Sequence, residues 1–308
     1  MLTHGNLIAN VQQMAAWMAR DLVDGKEVFV CPLPLYHVYA LTSCLVFMKM
    51  GAHTVLVTNP RDMKAYIHDL KKYPFTIIIG VNTLYRALLD APEFAEVDTR
   101  ALKLTSAGGM AVQRVVAEHW KQRTGVTIIE GYGLTETSPV VMASPLDIAE
   151  WTGTIGLPIP STQAAILDDG GLELAVDEVG EICVRGPQAM PRYWNRPYET
   201  NKVFTHDGWL RTGDMGFVDE RGYFRITDRK KDMIVVSGFK VFPNQIEDAV
   251  ALHPGVAEVA AIGEPDERSG EVVKIVVVKK DPALSEQALL EHCRQHLTGY
   301  KMPKIVEF

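Results

Sequence analysis

The sequence predicts an α/β fold: a parallel sheet layer with helices, followed by a small β-rich, distorted-barrel piece and then a compact α+β domain. Three observations predict it. Up to about residue 130, short apolar runs alternate with stretches whose apolar residues recur at helical spacing, which calls for a parallel sheet covered on both faces. Between 151 and 230 the segments shorten and become β-like between Gly/Pro turns, as in a small barrel or a strongly bent sheet. Beyond Asp232, strands and helices mix again.

Taken in order, Leu7, Val11, Met14 and Met18 recur at helical spacing behind Thr3, whose hydroxyl suits a helix cap. Residues 28–30 form a strand stopped by Pro32 and Pro34, and 38–50 is helix-like up to Gly51. A strand at 54–57, a helix at 63–70, a strand at 76–79 ended by Gly80 and a helix at 82–90 follow. Residues 102–104 lead into Gly108-Gly109 and a helix over 111–123, and 126–129 closes the series before Gly131. The β-rich piece offers strands at 164–167, 180–185 and 223–226. The last part offers strands at 234–236, 259–262 and 272–278 and helices at 244–252 and 286–297. The expected pieces are therefore 1–150, 151–230 and 231–308. The last boundary falls in Asp228-Arg229-Lys230-Lys231-Asp232, whose consecutive charges between apolar strands suit an exposed linker.

Composition narrows the function classes. Of 308 residues, 47% are apolar and 22% charged, which excludes wholesale disorder. A net charge of −7 argues against nucleic acid as a partner. No apolar run approaches the roughly 20 residues of a membrane span. The four cysteines have neither CxxC pairing nor metal-like spacing, and the first residues carry no secretion pattern, so the expected compartment is the reducing cytoplasm.

In open α/β sheets, ligands gather at the carboxyl ends of the strands. Here the apolar runs end in the Gly-, Pro- and polar-rich segments 32–37, 80–83, 106–109 and 130–133, which read as the rim of a pocket. Within Gly131-Tyr132-Gly133-Leu134-Thr135-Glu136, glycines let the backbone approach a flat ligand and the ring can stack on it. Thr135 can bond a phosphate oxygen, and Glu136 can hold a hard cation such as Mg²⁺. A plain turn with a solvated Glu is the ordinary alternative. Asp214, after Thr212-Gly213, can accept from two vicinal hydroxyls at once, as ribose recognition requires; an Asp bracing its own turn is the alternative. Arg229 can add a guanidinium to ribose or α-phosphate, or be one member of a solvated charge run. His292 and His296 share a helix face, but without a third ligand nearby an exposed face is the simpler reading.

In their order along the chain, these strings resemble the adenylate-forming superfamily of acyl-CoA synthetases, adenylation domains and luciferases. The series runs through Leu33-Pro34-Leu35-Tyr36-His37, Ser106-Ala107-Gly108-Gly109, 131–136, Gly153-Thr154-Ile155-Gly156, 180–186, 209–214, 228–232 and Tyr300-Lys301-Met302-Pro303-Lys304. The likeness is greatest to bacterial long-chain fatty-acid–CoA ligases. It implies attack of a fatty carboxylate on the α-phosphate of Mg²⁺-ATP, giving acyl-AMP, and then displacement of AMP by the CoA thiol. It also implies that Tyr132 stacks on adenine beside Gly108, Gly109 and Gly133, and that Thr135 and Glu136 serve phosphate and Mg²⁺. Asp214 and Arg229 would hold the ribose, with Arg229 also reaching phosphate. His37 would sit near the acyl end or be a packed structural residue. Lys231 would match the hinge of a mobile carboxyl-terminal domain. Gly238 would lie by the CoA channel or be a plain turn glycine. The family's phosphate-binding loop and terminal catalytic lysine find no match here, so the resemblance implies a truncated carboxyl-terminal domain and a fragment that is inactive alone. A family glycine is also replaced by Arg192 before Tyr193. A non-catalytic adenylate- or acyl-binding module, and a ligase for another carboxylic acid, are the competing functions. Peripheral membrane contact would suit a lipid substrate.

Overall fold

The computed structural model describes residues 1–266 and 268–308 and divides into two compact units. The first comprises Met1–Glu178, Cys183–Thr212 and Val218–Arg225; the second comprises Val179–Ile182, Gly213–Phe217 and Ile226–Phe308.

In the first unit the elements follow as α1 (His4–Met18), β1 (Val28–Cys31), α2 (Val38–Lys49), β2 (His53–Leu56), α3 (Met63–Lys72), β3 (Ile77–Gly80), α4 (Asn82–Asp90), β4 (Leu104–Gly108), α5 (Arg114–Thr124), β5 (Ile128–Gly133), β6 (Val140–Ala143) and β7 (Leu157–Pro158). They build a seven-stranded sheet in the order β2-β1-β3-β4-β5-β6-β7. β1 to β5 run parallel, as the alternating pattern predicts, and β6 and β7 add an antiparallel edge.

The two-residue period of the strands feeds two cores. Phe29, Cys31, Ile77 and Ile79 face one cluster with Ala40, Val46 and Phe47 of α2. Val30 and Ile78, one step out of phase, face another with residues of α3, α4 and α5. Trp120 of α5 is fully buried there, stacked on Phe94 and edge-on to Tyr85, and its indole N–H donates to Thr105. Burial on both faces explains why β3 reads Ile-Ile-Ile-Gly without alternation.

Two expectations are corrected. Segments 106–108 and 130–133, expected as rim loops, are strand: β6 gives β5 an antiparallel partner that continues it through Gly131 and Tyr132 to Gly133. In α1, capped by Thr3 as expected, the fully buried positions include Asn10 and Gln13 rather than Leu7 and Val11. The reason is that α1 packs on backbone. Asn10 both donates to the carbonyl and accepts from the N–H of Val140, at 2.8 and 3.0 Å, and Gln13 donates to the carbonyl of Pro160.

Beyond β7 come β8 (Gln163–Leu167), β9 (Gly180–Arg185), α6 (Pro197–Val203), β10 (Leu210–Val218) and β11 (Phe224–Arg229), with a four-stranded sheet ordered β11-β10-β9-β8. The chain then runs through β12 (Ile234–Val236), β13 (Phe239–Val241), α7 (Pro243–Ala251), β14 (Val256–Asp266), β15 (Gly270–Lys279), α8 (Glu286–His296) and β16 (Ile305–Glu307). These strands pair as β13-β12-β15-β14, with β16 parallel to β15. Val273, Ile275 and Val277, alternate residues of β15, pack with Ile246 and Val250 of α7 and Leu289 and Cys293 of α8. Among the described residues, no helix is long and apolar enough to cross a membrane.

Candidate functional site

The carboxyl ends of β1, β3, β4 and β5 are tied to one another. Tyr39, in the first turn of α2 after β1, donates to the Ser106 hydroxyl of β4 at 3.2 Å. Asn82, opening α4 after β3, accepts from the N–H of Gln113 at 3.0 Å. Val112, in the β4–α5 connection, donates its N–H to Glu130 of β5 at 3.0 Å.

On this rim Gly108 and Gly131 are register partners in adjacent strands. A Cβ on Gly108 would stand 3.2 Å from the Gly131 carbonyl and 3.3 Å from the Tyr39 ring, so close approach calls for glycine. Gly109 is left-handed at φ +81°, with nothing within 4 Å of where a Cβ would sit. Tyr132 is buried at 9% exposure, and a Cβ on the next residue, Gly133, would land on the Pro139 carbonyl.

A short 3₁₀ turn, Thr135–Thr137, follows, with Thr135 exposed. The Glu136 carbonyl accepts from the N–H of Met190 at 2.7 Å, and its carboxylate accepts from the Tyr193 hydroxyl at 2.8 Å. Burial first, and then the Glu136 carboxylate, push the Tyr193 phenol up to about 12. Ser138, at the end of the turn, donates to the Gln188 carbonyl at 2.9 Å. His37 is exposed and caps α2, its Nδ1 accepting from the N–H of Tyr39 at 3.2 Å. That cap needs an unprotonated Nδ1, and the ring is not packed in the core.

In the second unit, Asp214 is buried and its carboxylate lies 3.5 Å from the Nε of Arg229, whose side chain is 61% exposed. The backbone beside this pair is stitched, since Lys230 donates its N–H to the Gly213 carbonyl at 2.8 Å. The charged run 228–232 begins inside β11, and Asp228 is buried rather than linker-like. It accepts from the N–H groups of Arg229 and Asn244, and burial raises its pKa. Lys231 is exposed. Gly238 and Ser237, at φ +84° and +50°, make the two-residue turn of the β12–β13 hairpin, and the space beside Gly238 is open.

Sequence reasoning passed over Glu130, Tyr193 and Glu181. Glu130 is a carboxylate inside an otherwise apolar strand, and that was its signal. It also accepts from the Trp151 indole at 2.7 Å, and burial raises its pKa to about 7. Tyr193 and Glu181 stand in strings the sequence singles out, but no role could be read for either, because their partners Glu136 and Lys230 stand 57 and 49 positions away. No group of three or more His, Cys, Asp or Glu fit to hold a metal exists among the described residues.

The sequence profile of the AMP-binding enzymes matches residues 1–194, and that of the AMP-binding enzyme C-terminal domain matches 245–308. The chain is 54% identical over 309 aligned positions to a long-chain-fatty-acid–CoA ligase of Escherichia coli O157:H7, with all of this chain and 55% of that protein covered. Thus the chain spans about half the length of that relative. Among solved structures, ATP-bound MatB from Rhodopseudomonas palustris superposes with a TM-score of 0.90 at 32% identity, over 100% of this chain and 60% of that one. The o-succinylbenzoate-CoA synthetase MenE of Bacillus subtilis, holding its acyl-adenylate intermediate, superposes with a TM-score of 0.87 at 26% identity, over 100% and 61%.

Proposed function

The chain belongs to the AMP-binding enzyme family, and from that premise we propose that it is the portion of a long-chain fatty-acid–CoA ligase that receives the adenylate. The reaction joins a fatty carboxylate to AMP at the expense of ATP and then passes the acyl group to the thiol of CoA. The observation that carries this reading is that the 54% identity to such a ligase runs through the whole chain, both units included.

In this reading the adenine lies along the strand ends at Gly108, Gly109 and Gly133, with open space beside Gly109, and Tyr132 stacks on it. Asp214 accepts from the two ribose hydroxyls; such bonds to a charged acceptor contribute about 1.5–3 kcal/mol each. Arg229, whose Nε already lies 3.5 Å from Asp214, turns its other guanidinium nitrogens toward ribose or phosphate. Thr135 donates its hydroxyl to the α-phosphate. Glu136 would hold Mg²⁺, which, when bound, neutralises phosphate charge. Tyr193 orients that carboxylate. His37, at the exposed start of α2, faces the acyl end. Lys231 is the hinge about which a domain of 231–308 turns, and Gly238 borders the path of the CoA thiol. ATP, fatty acid and CoA are the partners, and the cytoplasm is the compartment that suits four free cysteines.

Calorimetric titration of AMP into the 308-residue chain tests this. Millimolar or tighter binding is expected, weakened about tenfold or more by Asp214→Asn. No heat across millimolar AMP would overturn the assignment.

A further inference from the structure

The strand at 180–185 belongs to the family-like motif series, yet none of the roles above uses its carboxylate. Glu181 is 5% exposed. One oxygen, Oε1, accepts from the N–H of Gly213 at 3.1 Å, and the other, Oε2, lies 3.2 Å from the ammonium of Lys230. Gly213 immediately precedes Asp214, and Lys230 immediately follows Arg229. A single buried carboxylate therefore grips the two chain positions that flank the Asp214–Arg229 pair, and the bond from Lys230 to the Gly213 carbonyl closes the frame.

We propose that Glu181 is a positioning residue for ribose: by holding Gly213 through its N–H and Lys230 through its ammonium, it sets the separation and aim of Asp214 and Arg229. The inference rests on the reading of Asp214 as the ribose acceptor. The physical argument is that two-point acceptance from vicinal hydroxyls tolerates little error in the acceptor's position. Asp214 and Arg229 sit on the neighbouring strands β10 and β11, and Glu181, on β9 at the other side of β10, holds a residue beside each from a third strand. Gly213, at φ +78°, has the freest backbone in the segment, so an outside anchor on its N–H matters there. Lys230 is 40% exposed at its side chain, and Glu181 holds its inner end.

The test compares the affinities of AMP and 2′-deoxy-AMP, by calorimetry, in the wild-type chain, Glu181→Gln and Lys230→Met. Glu181→Gln keeps an acceptor for Gly213 and loses the ion pair, while Lys230→Met removes the ammonium of that pair from the partly exposed side. Thermal melts confirm folding, and if Glu181→Gln does not fold, Lys230→Met carries the comparison. The wild-type chain is expected to prefer AMP over 2′-deoxy-AMP by about tenfold or more, and each variant to lose most of that preference while binding 2′-deoxy-AMP nearly as well as wild type. General destabilisation would instead lower both affinities together and leave the ratio intact. An undiminished ratio in the folded variants overturns the role of Glu181 and leaves Asp214 in place. The absence of any preference in the wild-type chain overturns the ribose reading itself, and this inference with it.

Discussion

At the scale of single residues, burial turns ordinary side chains into determinants of pH response. Glu130 lies inside β5 with two donors, Val112 and Trp151, yet desolvation outweighs both and raises its pKa from 4.5 to about 7. The folded chain therefore keeps this proton to about pH 7, whereas the unfolded chain releases it near 4.5. Between those values the native state binds more protons, so this group's contribution to stability falls as pH rises, by roughly 3 kcal/mol across the window. Urea unfolding at pH 5 and pH 8 checks it: the wild-type chain should lose more stability over that range than Glu130→Gln. Equal losses would show that Glu130 does not titrate there. The same residue binds the β4–α5 connection to the strand bearing Tyr132.

Between elements, the decisive fact is how closely backbones meet. Gly133 closes β5 where the chain returns through Pro139, and any Cβ there would overlap the Pro139 carbonyl, a backbone atom that cannot swing aside. Gly109 differs: its surroundings are open and only its left-handed φ opposes a side chain. Gly109→Ala is therefore expected to cost about 1–2 kcal/mol, the left-handed penalty. Gly133→Ala should cost about 3 kcal/mol or more, because β5 and β6 must separate. Denaturant midpoints decide this, and equal costs would mean that the close approach relaxes freely. The glycines on both sides of Tyr132 are legible in the sequence as places where something comes near. That the near neighbour of Gly133 is the chain itself is not legible, since nothing in the local sequence records that Pro139 and β6 fold back antiparallel onto β5.

For the molecule as a whole, the chain spans 55% of the length of the E. coli ligase it resembles. Stabilising charge on a transferring phosphoryl group calls for donors converging from several segments, and this is usually the largest catalytic term. We therefore expect the 308-residue chain, given palmitate, ATP and Mg²⁺, to show no pyrophosphate exchange above background while still binding AMP. Measurable exchange would show that these residues suffice for adenylation.

What the sequence by itself determined is the alternation of strands and helices, the glycine and carboxylate strings and their order. These are local or pairwise-spaced features, written in hydrophobic period and in residues with special backbone or acceptor chemistry. Tyr132, Asp214, Glu136 and Arg229 could be picked out on such grounds alone. Only the tertiary structure decided that Asn10 and Gln13 are the buried face of α1, that β5 runs on through the tyrosine, that Tyr193 meets Glu136, and that Glu181 holds the residues flanking Asp214 and Arg229. Each of these is a hydrogen bond or ion pair between residues far apart in the chain. A polar side chain's partner is chosen by the fold that buries it, and nothing in its immediate neighbours records that choice.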